Sequence, residues 1–323
     1  MSRLRALILT SLLTLACFAS VTFAGTPNAG TVIARVPIAP GTGGFAVGEG
    51  AVWTVSDAGP TLYRIDAAKN KVASRTTIQL DLPCPASPPG CGEIAAGNGA
   101  IWLSHPNDNT VSRFDPRANR IVATIHVPNQ PEAVATAPGA VWVAGRGGPT
   151  ISRIDPRSNR VVATIRVGRA SICCSDHMAV TASPGAVWAT VANENTLVRI
   201  NPATNRVDAK THLTTQPCGF LVADSRTLWA AGAHCGSAVS KLDVKNAKPI
   251  GTVTGSRSPI GLALAFGSLW LADLDARSVE RVDPGSGRIV SRMRVGGIPV
   301  RLGVGFGSIW VRDDSGRVLR IKP

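Results

Sequence analysis

Seven tryptophans recur along this 323-residue chain at near-constant spacing, and no tryptophan lies outside the series. Trp53, Trp102, Trp142, Trp188, Trp229, Trp270 and Trp310 are separated by 49, 40, 46, 41, 41 and 40 residues. Each follows a small residue and an aliphatic one, as in Gly50-Ala51-Val52 and Gly307-Ser308-Ile309. About a dozen residues further on comes a basic residue, an apolar one and an acid or amide, as in Arg64-Ile65-Asp66, Arg113-Phe114-Asp115, Arg153-Ile154-Asp155 and Arg199-Ile200-Asn201. This period is that of propeller blades made of four strands each.

The most regular copy, Val111 to Trp142, shows why the copies must stack. It consists of three runs of alternating or β-branched residues, broken by Asp115-Pro116 with Asn119 and by Pro138-Gly139. Asp bonds backbone groups two residues on, Pro presets φ, and Asn and Gly tolerate the left-handed region, so both breaks are tight turns. A sheet of this size has two faces to bury and cannot cover both alone. The fold expected is all-β: a seven-bladed β-propeller of four-stranded blades.

The chain stops at Val318-Leu319-Arg320-Ile321, one strand short of a full blade, while Thr31-Val32-Ile33-Ala34-Arg35-Val36 is a spare outer strand at the other end. The N-terminal strand is therefore expected to complete the last blade and close the ring, which removes the sheet edges at the seam. Ahead of it, Arg3 and Arg5 precede an apolar run from Ala6 that ends in Thr22-Phe23-Ala24. That pattern reads as a signal peptide over residues 1–24, followed by one propeller domain over residues 25–323 of a periplasmic or secreted protein. Cleavage there leaves no membrane span in the mature chain. Cys17 raises a lipoprotein alternative, although Thr14 stands where a lipidation motif wants an aliphatic.

With these motifs the repeat resembles the YVTN-type and virginiamycin B lyase (streptogramin lyase)-like β-propellers over residues 31–323. The resemblance implies the fold and leaves function open, because this architecture hosts binders, lyases and lactonases alike. Likeness to the streptogramin lyases further implies a histidine eleven residues before one blade tryptophan and a Glu-x-His in the next blade. In those enzymes the set supports a magnesium-assisted elimination that opens a macrocyclic lactone. Here His177 holds the first place, eleven residues before Trp188, but Gln216-Pro217-Cys218 stands where Glu-x-His is expected. An amide is no general base and a disulfide-bonded sulfur no metal ligand, so no intact catalytic set remains and His177 is the single catalytic candidate left.

Binding in a propeller is expected where strand-end loops converge on the central channel. Aligned on tryptophan, the segments leading into each innermost strand vary while the scaffold repeats, and they carry Glu93, Glu132, His177 and Arg301. Loops leaving the tryptophan strands on the same rim carry His105, Arg146, His234, Asp273 and Arg312. Together these nine residues are the expected ligand-binding rim. Cys84, Cys91, Cys173, Cys174, Cys218 and Cys235 fall on it too, an even number in an exported chain. The pairs expected are Cys84 with Cys91, Cys218 with Cys235, and a vicinal Cys173–Cys174, all stiffening the rim. Cys173, Cys174, His177, His234 and Cys235 also supply metal-ligand types. They lack a regular C-x-x-C pair, and disulfides are the ordinary fate of exported cysteines, so no metal is expected.

The formal net charge of +14 becomes +12 when Arg3 and Arg5 are removed, 32 basic residues against 20 acidic ones. Basic residues recur with the blade, as in Arg113, Arg120, Arg153 and Arg160, and are expected to ring the circumference on the outer strands. They make no single patch interleaved with aromatics, which argues against nucleic acid. A diffuse attraction to anionic envelope polymers is what such a charge permits. The sequence thus describes an exported monomer that binds an unknown protein or small-molecule ligand through its cysteine-braced rim, without a cofactor. The alternative is a virginiamycin B lyase-like, metal-assisted carbon–oxygen lyase at the same rim, which would use magnesium.

Overall fold

Each repeat folds into an antiparallel sheet of four strands hydrogen-bonded in chain order, as in Pro131–Ala137, Ala140–Gly145, Thr150–Asp155 and Arg160–Arg166. The computed structural model describes residues 30–41, 43–56, 61–78, 92–169 and 178–323, the side chain of His234 excepted. Within them seven such sheets form. The innermost strands of blades 1 to 7 are Phe45–Gly48, Ile94–Gly97, Pro131–Ala137, Val180–Ser183, Leu221–Ala223, Pro259–Ala265 and Pro299–Gly305. Each packs against the next, and the last packs against the first. The protein is a closed seven-bladed β-propeller.

Closure comes from the N-terminal strand, as the strand count requires. Thr31–Pro37 pairs antiparallel with Arg317–Lys322, placing Val36 opposite Val318, so the last blade is built from both ends of the described chain. Burial follows from stacking. The second strand of a blade is covered on both faces, so Ala140–Gly145 is buried at every residue, whereas the outer strand Arg160–Arg166 alternates exposed and half-buried over most of its length. The apolar core is accordingly divided into layers between neighbouring blades. Trp142 and Ile151 meet Val187 and Ile200 in the gap between blades 3 and 4. Trp310 and Val318 meet Phe45 and Val52 across the seam.

A bulge recurs where the third strand pairs with the outer one, between Arg113 and Phe114, Arg153 and Ile154, and Lys241 and Leu242. The extra residue on the outer strand turns out of the ladder, which is why Val122, Val162 and Ile250 are exposed aliphatics. A kinked outer edge is a poor template for pairing with another sheet.

The recurring basic residues of the third strand are not on the outer wall. Arg153 Cζ lies 5.3 Å from the Trp142 ring centroid, and each blade has a cation over its tryptophan, arginine in six and Lys241 in blade 5. From there Arg113 Nη1 donates to Pro156 O at 2.7 Å and Asn159 Oδ1 at 2.9 Å in the next blade. Arg320 Nη1 does the same at the seam, to Ala67 O at 2.6 Å and Asn70 Oδ1 at 3.1 Å. The planar, amphipathic guanidinium explains the difference from expectation: its face covers the indole while its edge satisfies carbonyls of the adjacent turn.

Two rims follow from the connectivity. Innermost strands begin, and tryptophan strands end, at the rim around the channel mouth. Hairpins joining the first to the second and the third to the fourth strands gather on the other, the turn rim. If the N-terminal strand seals the ring, deleting residues 30–37 bares the edge of Arg317–Lys322. The expected result is loss of the monomer peak in size-exclusion chromatography in favour of larger species, with a lowered Tm.

Candidate functional site at the channel mouth

One guanidinium reaches across the mouth of the channel. Arg301 lies in the first strand of blade 7, just after a bulge between Pro299 and Arg301 that re-aims its side chain. Its Nε and Nη2 donate to Glu93 Oε1 at 3.1 and 2.5 Å, and its Cζ sits 4.3 Å from the Phe220 ring centroid. Glu93 comes from blade 2 and Phe220 from blade 5, so Arg301 ties three blades across the opening. At 4% and 7% exposure the pair is out of bulk water, where a guanidinium donating from two nitrogens to one carboxylate oxygen makes a strong charge-assisted contact.

Glu132 of blade 3 stands beside it. Ser104 Oγ accepts from Glu93 N at 3.0 Å and donates to Glu132 O at 2.6 Å, fixing the two acidic residues' backbones against each other. Glu132 Oε2 accepts from Met178 N at 3.2 Å in blade 4. Burial is the largest influence on Glu93 and pushes its carboxyl above the ordinary value of 4.5; Arg301 opposes the shift and Glu132 adds to it. A cavity of about 20 Å³, lined by Glu93, Glu132, Met178, Cys218 and Phe220, has room for one water.

Cys218 and Cys235 form a disulfide with Cα atoms 5.9 Å apart. It joins the segment before Leu221–Ala223 to the short 3-10 turn Ala233–Cys235, so the wall of the mouth in blade 5 is covalently braced, as expected. The pairings expected of Cys84, Cys91, Cys173 and Cys174, and the roles of His177 and of the His234 side chain, lie outside the described residues.

The other rim residues serve the scaffold's local bonding. His105 turns into its own blade, with Nε2 2.9 Å from Ser112 Oγ; burial holds its pKa below 6.5, opposed by Asp108. Asp273 accepts backbone N–H bonds from Arg257 at 2.6 Å, Ser258 at 3.2 Å and Ala276 at 2.9 Å. Arg312 donates to Asp313 O at 2.8 Å and Ala39 O at 3.2 Å. Arg146, half-buried, reaches Gln130 Oε1 at 3.4 Å. The structure thus gathers Glu93, Glu132 and Arg301 at the mouth and disperses the rest. Phe220 was missed, although it is the one phenylalanine among the seven triplets that lead into the innermost strands.

The donor set does not fit a lyase-type magnesium. Cys218 is consumed in the disulfide and Gln216 offers only an amide where the resemblance wants imidazole and carboxylate. Among the described residues no group of three or more His, Cys, Asp or Glu converges on one point.

Comparison of folds agrees with this architecture. The chain is similar to selenomethionine-substituted virginiamycin B lyase from Staphylococcus aureus, with a TM-score of 0.70 and 14% identity over 90% of this chain and 98% of that one. It is similar to a streptogramin B lyase, TM-score 0.70 and 14% identity over 87% and 94% of the two chains. Hydrazine synthase of Kuenenia stuttgartiensis is similar too, TM-score 0.66 and 13% identity over 88% and 96%. No protein-family model matches the chain, and no curated protein matches it in sequence. What these proteins share with the chain is the propeller fold.

Removing Arg301 strands Glu93 as a buried, uncompensated charge. Arg301→Met is expected to cost about 3–5 kcal/mol at neutral pH, most of it recovered in the double variant with Glu93→Gln. A carboxyl whose folded pKa is raised stabilises the fold while protonated, and that contribution is lost as pH rises from 4.5 through the raised value. The cost of Arg301→Met should therefore shrink as pH is lowered, which urea unfolding at a series of pH values reads directly. Separately, Cys218→Ala with Cys235→Ala opens a 17-residue loop and should cost roughly 3 kcal/mol in the same assay.

Proposed function

We propose that the protein is an exported ligand-binding scaffold whose ligand sits over the channel mouth, with no catalysis at the rim. The observation that supports it is the floor of that mouth: Arg301 held between Glu93 and Phe220, with Glu132 alongside, makes a pocket base fixed by contacts between blades. A base of mixed charge takes polar groups of either sign, and rigidity lowers the entropy lost on binding. The Cys218–Cys235 disulfide braces the wall beside it and is the chemistry of an oxidising compartment. Partners in this reading are a small molecule or an exposed segment of another protein, bound by one propeller acting alone.

The absence of catalysis rests on Gln216 and the disulfide-bonded Cys218 at the positions a streptogramin lyase needs. Two measurements test the reading. In a thermal-shift screen of small acids, amines and peptides, binders are expected whose shift falls at least about tenfold in apparent affinity in Glu132→Gln. Binders that saturate this variant and the native protein alike would place the site elsewhere. Incubated with magnesium and a type B streptogramin, the protein should leave the macrocycle intact by chromatography; a ring-opened product would overturn the non-catalytic assignment.

A further inference from the structure

The rim opposite the channel mouth carries an independent feature. Four residues before the tryptophan, the hairpin joining the first two strands has a residue in the left-handed region: Glu49 and Asn98 in blades 1 and 2, but Phe266 and Phe306 in the adjacent blades 6 and 7. The two phenylalanines have φ of 52° and 53° and are 46% and 44% exposed. An L-residue there crowds its Cβ against the backbone, and Asn is the side chain that tolerates it best. A Cβ built on the following Gly267 or Gly307 meets nothing within 4 Å, so both tips stand in open space. Val304, 38% exposed, lies two residues before Phe306. On this rim, two neighbouring blades hold aromatic rings in water in a disfavoured backbone conformation.

Cations share that rim. The turns between the third and outer strands lie on it and expose Lys245 and Lys248 in blade 5, Arg288 in blade 6 and Lys69 and Lys71 in blade 1, with Arg117 and Arg157 further round the ring. The acids of those turns, Asp115, Asp155 and Asp243, each accept from backbone amides of their own turn. On the channel-mouth side, by contrast, Glu93 is matched with Arg301 and Asp313 with Arg317. The chain's excess of positive charge is therefore weighted to the turn rim.

We infer that the turn rim is a docking surface for an anionic lipid bilayer, with Phe266 and Phe306 entering the headgroup region and the ring of basic turns lying over it. Exposed rings beside cations are the pattern of proteins that lie on a membrane. Among the described residues no helix is long and apolar enough to cross one. A bilayer is favoured over a polyanion because only an apolar phase gives the two rings somewhere to go. Docked this way, the propeller holds its channel mouth away from the lipid. The inference does not depend on what that mouth binds.

Sedimentation with vesicles tests it. The protein should bind vesicles containing phosphatidylglycerol, should not bind pure phosphatidylcholine, and should release as salt shortens the range of the charges. Phe266→Asn with Phe306→Asn should keep or raise Tm, because Asn suits the turn, yet should weaken vesicle binding by roughly tenfold or more. Retention on heparin should be unchanged in that variant. Native-like vesicle binding by the double variant would overturn the inference and leave a purely electrostatic surface for anionic polymers. Failure of the native protein to bind anionic vesicles at low salt would overturn it outright.

Discussion

The stacked pair of an indole and a cation is the contact on which the propeller depends. Within a blade the tryptophan is the largest side chain in the second strand, fully buried, and its ring needs a cover on the side facing the third strand. Arginine or lysine provides that cover with an attraction of about 0.5–2 kcal/mol, the larger values applying where water is excluded. Among the described residues the same side chain then bonds the next blade's turn from Arg113, Arg153, Lys241 and Arg320. Intrablade packing and interblade register are thus set by one residue. Such cations also bond within their own blade, Arg199 to Asp208 at 2.5 Å and Arg281 to Ser268 at 2.8 Å.

This explains what the sequence could and could not reveal. The blade count, the turn positions and the strand that closes the ring are legible because each depends on residues repeated at fixed offsets. The Cys218–Cys235 bond is legible because both residues sit at known places in one blade. The contact between Arg301 and Glu93 spans 208 residues and joins blades that are not neighbours. No local pattern encodes it, since it depends on how far a side chain reaches across a closed ring. Asp273 and Arg312 are the opposite case. Their chemistry suggested ligand contact, yet strand ends leave amides and carbonyls that need partners, and these charged groups supply them. Phe266 and Phe306 were legible in principle, as apolar residues where other copies carry Glu, Asn, Pro or Ser.

The two rims are constrained differently. On the turn rim the hairpins are short and their Asp and Asn residues are committed to backbone bonds, so variation is left to exposed side chains at the tips. Around the channel mouth the connections between blades vary in length, and seven innermost strands bring their variable ends within reach of one another. A new binding surface arises there by changing single residues on a frame that does not move. On the turn rim, change alters charge and hydrophobicity at the periphery without touching the mouth.

Ring closure and the mouth are also mechanically joined. The seam lies between blades 7 and 1, and blade 7 is assembled from Thr31–Pro37 together with the C-terminal strands. Arg301 belongs to blade 7 but grips Glu93 in blade 2, so its bond passes over blade 1 and clamps the seam from the channel side. Arg320 clamps it from the turn rim through Ala67 and Asn70, and Trp310 packs across it in the apolar layer. The joint between blades 7 and 1 is therefore held at both rims and in between, while the two ends of the described chain meet inside blade 7 where Thr31–Pro37 pairs with Arg317–Lys322. Any motion that opened it would part Arg301 from Glu93 and unmake the floor of the mouth. The shape offered to a ligand is thus a property of the closed ring as a whole.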